Sequence, residues 1–293
     1  MPRLAIFSNC MQKLALLGAM AVIAPSSAMA QQTDGAGKPI CAPRPSVLAA
    51  FTEMALKPGA TFSLNGLSPE ELKALPAEMA AAEKRKAQDW PDLCRYAEEN
   101  AKLLATGQKP HVVFMGDSIT ENWKPGDPAL FSGGNVDRGV SGQTTPQMLL
   151  RMYPDVIRLR PRIVHIMAGT NDISGNTGPI SDEAIVDNIR AMIVLAKANR
   201  IKVMLGSITP SSGFSLRPGL NPAARISRVN GLLRQLATEQ KVTFVDYHAP
   251  MTDKDGGMRA GLANDGLHPN RNGYAIMRPL TEKAIAQAEK KRL

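Results

Sequence analysis

The stretch His111-Val112-Val113-Phe114-Met115-Gly116-Asp117-Ser118-Ile119-Thr120 decides how this chain folds. Its first half is mostly apolar and partly β-branched, which predicts a buried strand over 111–115. The strand stops at Gly-Asp-Ser. A serine at a strand's carboxyl end stands where open α/β sheets place their ligands. Working outward, strand and helix readings alternate. A helix is predicted over 145–159, a strand over 163–168 and a helix over 181–198. A strand over 202–206, a helix over 222–240 and a strand over 242–245 follow. A last helix is capped by Asn270 and runs to about residue 290. Strands alternating with helices imply a parallel sheet covered on both faces. Pattern alone leaves the strand order open.

Far from Ser118 stands Asp265-Gly266-Leu267-His268-Pro269-Asn270. An acid three residues before a histidine can orient that imidazole from the same turn. Pro269 biases His268 toward extended backbone, which keeps the ring on a loop. Serine, histidine and acid are the parts of an acyl-transfer site: the hydroxyl attacks, the imidazole takes its proton, the carboxylate fixes the tautomer. The bland reading makes Ser118 a helix cap and 265–270 a surface turn. It leaves the Asp265/His268 spacing unexplained. His111, His165 and His248 begin, sit within, or follow predicted strands, and read as structural.

Two further segments end strand-like runs or turns: Asp137-Arg138-Gly139-Val140-Ser141-Gly142 and Gly169-Thr170-Asn171-Asp172. At Ser118, Gly139, Asn171 and His268 the chain resembles the SGNH hydrolases, also called the GDSL lipase/acylhydrolase family. The resemblance runs from about residue 109 to the C-terminus. It implies a three-layer α/β/α sandwich with a five-stranded, flavodoxin-like parallel sheet. It also implies an oxyanion hole built from the Ser118 N–H, the Gly139 N–H and the Asn171 side-chain amide, with Ser118, Asp265 and His268 catalytic. Asp137 stands where many relatives carry Asn. The runs Gly139-Val140-Ser141-Gly142-Gln143-Thr144-Thr145 and Gly169-Thr170-Asn171-Asp172 look most like the branch of platelet-activating-factor acetylhydrolase-type enzymes and bacterial acetyl esterases. The expectation is a serine esterase for short-chain, acetyl among them, carboxylic esters of small molecules or glycans. It works through an acyl-serine and needs no metal or organic cofactor. Two rivals stay open. One is a cell-envelope acyltransferase using the same serine; the other is a non-catalytic envelope-binding protein on a hydrolase frame.

The chain has 293 residues, 44% hydrophobic and 21% charged, which fits one large globular domain or two small ones. Aromatics make up only 4%, so aliphatic side chains and the 15 methionines must supply most of the core. The formal charge of +9 reads as a solvated basic surface or as attraction to anionic lipid or polymer. No nucleic-acid motif accompanies it. Arg3 and Lys13, an apolar run over 14–24 and Ala28-Met29-Ala30 read as a secretory signal peptide over 1–30. No later run is long enough for a transmembrane helix. The expected product is exported to the periplasm or beyond.

Export would leave Cys41 and Cys94. They form either a disulfide, stabilising by roughly 4 kcal/mol in the chain-entropy model, or two buried thiols. No Cys/His spacing suggests a metal site. Residues 31–108 read as an N-terminal helical extension and 109–293 as the hydrolase domain. Within the extension, an extended arm over 31–59 precedes a helix expected to open at Ser68-Pro69-Glu70-Glu71, a second over 76–88 and a third over 91–104. The loop over 211–222, rich in Ser, Gly and Pro, is a candidate pocket wall or a plain surface loop.

Overall fold

Four short, mostly apolar runs and the charged stretch Val136-Asp137-Arg138-Gly139 become five parallel strands: β1 (Val112–Gly116), β2 (Val136–Gly139), β3 (Ile163–Met167), β4 (Lys202–Gly206) and β5 (Thr243–Val245). Their order across the sheet is β2-β1-β3-β4-β5, all pairs parallel. This is the flavodoxin-like order. The computed structural model describes Cys41 and residues 48–61, 67–214 and 217–291. The signal-peptide reading over 1–30, and most of the arm over 31–59, lie outside the described residues.

The helices are α1 (Leu48–Leu56), α2 (Pro69–Gln88), α3 (Ala97–Thr106), α4 (Ser118–Glu121), α5 (Trp123–Gly126), α6 (Thr145–Met152), α7 (Thr170–Ser174), α8 (Asp182–Ala198), α9 (Ala223–Glu239), α10 (His248–Met251) and α11 (Arg271–Lys290). Every residue of β1 and β3 is buried, because helices cover both faces. Side chains alternate across the strands. Val113, Met115, Val164 and Ile166 join a core with α6, α8 and α9. Val112, Phe114, Ile163 and Met167 join a second core with Leu56, Trp123, Tyr247, Tyr274 and Met277. Three layers result. The few aromatics concentrate in the second core, where Trp123 stacks on Tyr274 at 5.6 Å and meets Tyr247 edge-on at 5.8 Å.

The helices of the extension differ from expectation. Residues 69–88 form one helix, not two. Ser68 and Glu71 make a reciprocal capping box, and the run of strong helix formers on both sides of Pro76 outweighs the one lost N–H. Helix α3 starts six residues later than expected. Asp89 accepts from the Leu93 and Cys94 N–H groups, each at 2.9 Å, and Asp92 takes a left-handed φ of 58°. Both hold residues 89–95 in turns. The arm is not extended throughout: α1 forms at its end, and Leu56 is fully buried in the second core.

The described residues from Leu48 on belong to one compact unit, and Cys41 lies outside it. Cys41 and Cys94 are each disulfide-bonded. Among the described residues no helix is long and apolar enough to cross a membrane.

Candidate active site

Strand β1 delivers Gly116 to the carboxyl edge of the sheet and the chain turns at once into α4. Asp117 caps that helix by accepting the Ile119 N–H at 2.9 Å. Ser118 is therefore the first helical residue, and its own N–H has no partner among the described residues. A second tie holds the turn: the buried Tyr274 hydroxyl donates to the Ile119 carbonyl at 2.7 Å. Tyr274 sits on α11, which begins just after His268. One helix thus fixes both the nucleophile turn and the histidine loop. Asn270 caps α11 by accepting from Asn272 and Gly273 N–H groups, which ends the loop at a defined point.

Across 150 residues of sequence, Ser118 Oγ lies 2.9 Å from His268 Nε2. His268 Nδ1 lies 2.6 Å from Asp265 Oδ2. The other carboxylate oxygen, Oδ1, accepts the Leu267 and His268 backbone N–H groups at 2.9 and 2.8 Å. Asp265 is thus held by its own turn and cannot swing away from the ring. Burial penalises its charge, but the His268 hydrogen bond and charge and these two N–H groups outweigh that, and its pKa falls to about 2. Burial also penalises the His268 cation. Asp265, and beyond it Asp117, more than compensate, and the His268 pKa rises above its ordinary value.

Gly139 is brought to the same edge, beside Gly116 in the β1–β2 register. It does not offer a free N–H. That N–H donates to Asp137 Oδ1 at 2.8 Å, while the Gly139 carbonyl accepts the Tyr96 hydroxyl. This corrects the expectation that Gly139 donates to an oxyanion. What requires glycine here is space: an added Cβ would lie 2.1 Å from the Glu121 nitrogen and 2.7 Å from the Asp117 carbonyl.

The free donor is three residues on. Gly142 has φ +80°, a left-handed conformation that favours glycine, and its N–H has no partner among the described residues. Its carbonyl accepts Asn176 Nδ2 at 3.1 Å, and the same Nδ2 donates to Asn171 Oδ1 at 2.9 Å. Asn176 therefore ties Gly142 to Asn171. Asn171 Nδ2 donates to the Gln143 carbonyl at 3.0 Å and, more weakly at 3.4 Å, to Asp117 Oδ2. The weaker bond is the one an incoming oxyanion can take over. Sequence reasoning missed Gly142. Its signal was the second glycine of Gly139-Val140-Ser141-Gly142, the last residue able to turn before the capping box of Thr144 and Gln147 opens α6.

The other acids of these blocks support rather than react. Asp172 accepts the Thr145 N–H and hydroxyl, binding the end of β3 to the start of α6. Burial raises the Asp117 pKa to about 6 and the Asp137 pKa to about 8; the N–H groups of Ile119 and Gly139 respectively pull against it. Residues before β1 brace the Gly139–Gln143 loop from behind. Arg95 pairs with Glu121 at 2.7 Å, Glu121 accepts the Ser141 N–H at 2.8 Å, and Gln143 donates to the Pro91 carbonyl at 2.7 Å.

The remaining histidines lie outside this cluster. His165 is fully buried in β3, 3.1 Å from the Tyr247 hydroxyl, and burial drives its pKa down to about 3. His111 pairs with Glu289 at 2.9 Å, and His248 meets Thr252 at 3.1 Å. Among the described residues no group of three His, Cys, Asp or Glu side chains could hold a metal ion. The 211–222 loop lines a small pocket of about 270 Å³ with Phe214, Arg217 and Leu220, and Arg217 reaches the Gly175 carbonyl at the end of α7.

Known proteins share this chain's sequence pattern and fold. The profile of the GDSL-like lipase/acylhydrolase family matches residues 114–276. The chain belongs to this family. A GDSL-like lipase from Bacteroides thetaiotaomicron is 40% identical, with a TM-score of 0.65, covering 68% of this chain and all of that one. A candidate acylhydrolase from Bacteroides fragilis has the same identity and TM-score, covering 68% of this chain and 98% of that one. The acetyl xylan esterase AlAXEase shares the fold at 20% identity and a TM-score of 0.50, over 59% of this chain and 98% of that one. A search of curated proteins found no match. As a GDSL-like acylhydrolase, the protein is a carboxylic ester hydrolase.

Proposed function

We propose that this GDSL-like acylhydrolase is an exported serine esterase that cleaves short-chain esters, acetyl esters among them, through an acyl-serine. The observation that carries the reading is the unbroken chain from Ser118 Oγ to His268 Nε2 and from His268 Nδ1 to Asp265. Ser118 Oγ attacks the ester carbonyl carbon as His268 Nε2 takes the hydroxyl proton. The carbonyl oxygen becomes an oxyanion that accepts from the Ser118 N–H, the Gly142 N–H and Asn171 Nδ2. Asp265 stabilises the imidazolium. The tetrahedral species collapses, His268 returns the proton to the leaving alcohol, and the acyl group stays on Ser118. Water then attacks with His268 as base and releases the acid.

The short acyl chain rests on the resemblance of residues 139–145 and 169–172 to acetyl esterases; an acetyl xylan esterase has the same fold. Export rests on the leader-like residues 1–30 and on the two disulfide-bonded cysteines, since such bonds persist in oxidising compartments. The hydrolase domain is proposed to start near residue 109, with 31–108 as an extension whose last turns brace the site.

The test is hydrolysis of p-nitrophenyl acetate, butyrate and octanoate by wild type and Ser118→Ala. Wild type should prefer acetate, and the variant should lose on the order of 10⁴-fold or more. Equal rates in the two proteins would end the serine mechanism. A wild type fastest on octanoate would end the short-chain assignment alone.

A further inference from the structure

At the opposite end of the strands lies a groove of about 770 Å³. Its lining includes Lys109, Arg158, Arg160, Arg162 and Arg200, and no acid. Lys109, Arg162 and Arg200 stand just before β1, β3 and β4, so the groove opens at the amino-terminal edge of the parallel sheet. Ser118 and Asn171 follow the carboxyl ends of β1 and β3. A five-residue strand separates the two edges by roughly 17 Å.

These five cations share one groove with no carboxylate in its lining. Elsewhere in the described residues nine arginines sit on carboxylates. The groove's four arginines and its lysine have no carboxylate partner among the described residues. Like charges crowded together without counter-charge repel one another. Arg160 and Arg200 also hold left-handed backbone angles, φ 53° and 59°, at the turns into β3 and β4. This is the left-handed residue that ends a helical turn: the Arg160 N–H returns to the Ile157 carbonyl and the Ile201 N–H to the Ala196 carbonyl, which sets both arginines at the rim of the sheet. Apolar side chains flank the charge. Tyr153 lines the groove and is 65% exposed; Leu150, one helical turn earlier on the same face, is 52% exposed.

We propose that this groove docks the protein on an anionic phospholipid surface. Guanidinium groups match lipid phosphates as bidentate donors, and Tyr153 and Leu150 can settle at the level of the headgroups. An unpaired cationic cluster edged by an aromatic and an aliphatic side chain fits that chemistry better than it fits a soluble polyanion, which offers nothing to the apolar pair. Docked by this edge, the protein turns the Ser118–His268 pair away from the membrane, toward water-borne substrate.

The experiment is co-sedimentation of the full secreted chain with vesicles of phosphatidylcholine, with and without phosphatidylglycerol. The comparison protein is the double variant Arg158→Gln/Arg162→Gln. Wild type should bind only the anionic vesicles, and less as salt rises. Each lost cation should weaken binding about fivefold, so the double variant should bind roughly 25-fold more weakly. Its p-nitrophenyl acetate hydrolysis should equal wild type, which certifies the fold. Tyr153→Ser should also weaken vesicle binding at unchanged charge. Equal affinity for neutral and anionic vesicles, or full binding by the double variant, overturns the proposal. So does displacement by millimolar inorganic phosphate at constant ionic strength, which would mark a site for a small soluble anion.

Discussion

Asp265 grips His268 twice: Oδ2 meets the ring at Nδ1, 2.6 Å away, and Oδ1 accepts the histidine's own backbone N–H at 2.8 Å. The acid orients the ring and the peptide that carries it. Removing the acid should therefore disturb both the tautomer and the position of the ring.

The first prediction concerns pH. Burial opposes the His268 cation, but Asp265 outweighs it and the folded-state pKa lies above 6.5. The base works only when neutral, so kcat/KM for p-nitrophenyl acetate should rise with pH through a midpoint above 6.5. Asp265→Asn should move that midpoint down and lower kcat on the order of 10⁴-fold. A variant midpoint equal to or above that of wild type would contradict the assignment. The stability signs are opposite for the pair. His268, with its raised pKa, stabilises the fold below its unfolded value, and this is lost as pH rises through the folded value. Asp265, with its pKa at about 2, stabilises above its unfolded value, and this is lost as pH falls toward 2.

Two glycines of one loop should respond differently. Gly139→Ala drives a Cβ into the backbone of Glu121 and Asp117, and should cost about 3 kcal/mol or more by urea denaturation, with activity falling as the nucleophile turn shifts. At Gly142 the nearest atom to an added Cβ is Asn176 Nδ2 at 3.8 Å. Gly142→Ala therefore pays only left-handed strain, roughly 1–2 kcal/mol. A Gly139→Ala protein as stable as wild type would show that the close packing is not needed.

Glu121 links Arg95 to Ser141, next to the free N–H of Gly142. Glu121→Ala should lower kcat on p-nitrophenyl acetate between roughly ten- and a hundredfold, with KM little changed, because the loop loses its register. Glu121→Gln keeps an acceptor for Ser141 and should retain most of the rate. Steady-state kinetics of the two variants check this; equal kcat in Glu121→Ala and wild type would remove Glu121 from the support of the site.

Arg151 and Asp155 form an ion pair at 2.6 Å with both side chains buried. Arg151 also donates to Gln143 Oε1 and the Arg138 carbonyl, and Asp155 accepts from Asn100. Arg151→Met strands a buried carboxylate and should cost about 3–5 kcal/mol. For a domain of this size that lowers Tm by roughly 10 °C. Adding Asp155→Leu should recover much of the loss. Thermal denaturation of the single and double variants measures both steps.

Much of this molecule was legible in one dimension. The strand runs at Val112, Ile163 and Lys202 start within a residue of their expected places, because a strand buried on both faces must be continuously apolar. Ser68 and Asn270 announced their helices because a cap is a local hydrogen bond. Proline and aspartate misled where local rules compete: Pro76 suggested a break that the surrounding helix formers override, and Asp89 and Asp92 delayed α3.

What sequence alone determined, then, was the set of elements and the chemical types at their ends: hydroxyl, imidazole, carboxylate and amide. The elements follow from period; that the groups at their ends act together is what the family resemblance implied. Only the tertiary structure decided which groups were already taken. The Gly139 N–H is consumed by Asp137, two residues away, while the Gly142 N–H finds no partner among the described residues; two glycines in one loop announce turns but not which of them keeps a free donor. Hydrogen-bond occupancy depends on where every neighbour lies in space, and that exists only after the chain has folded.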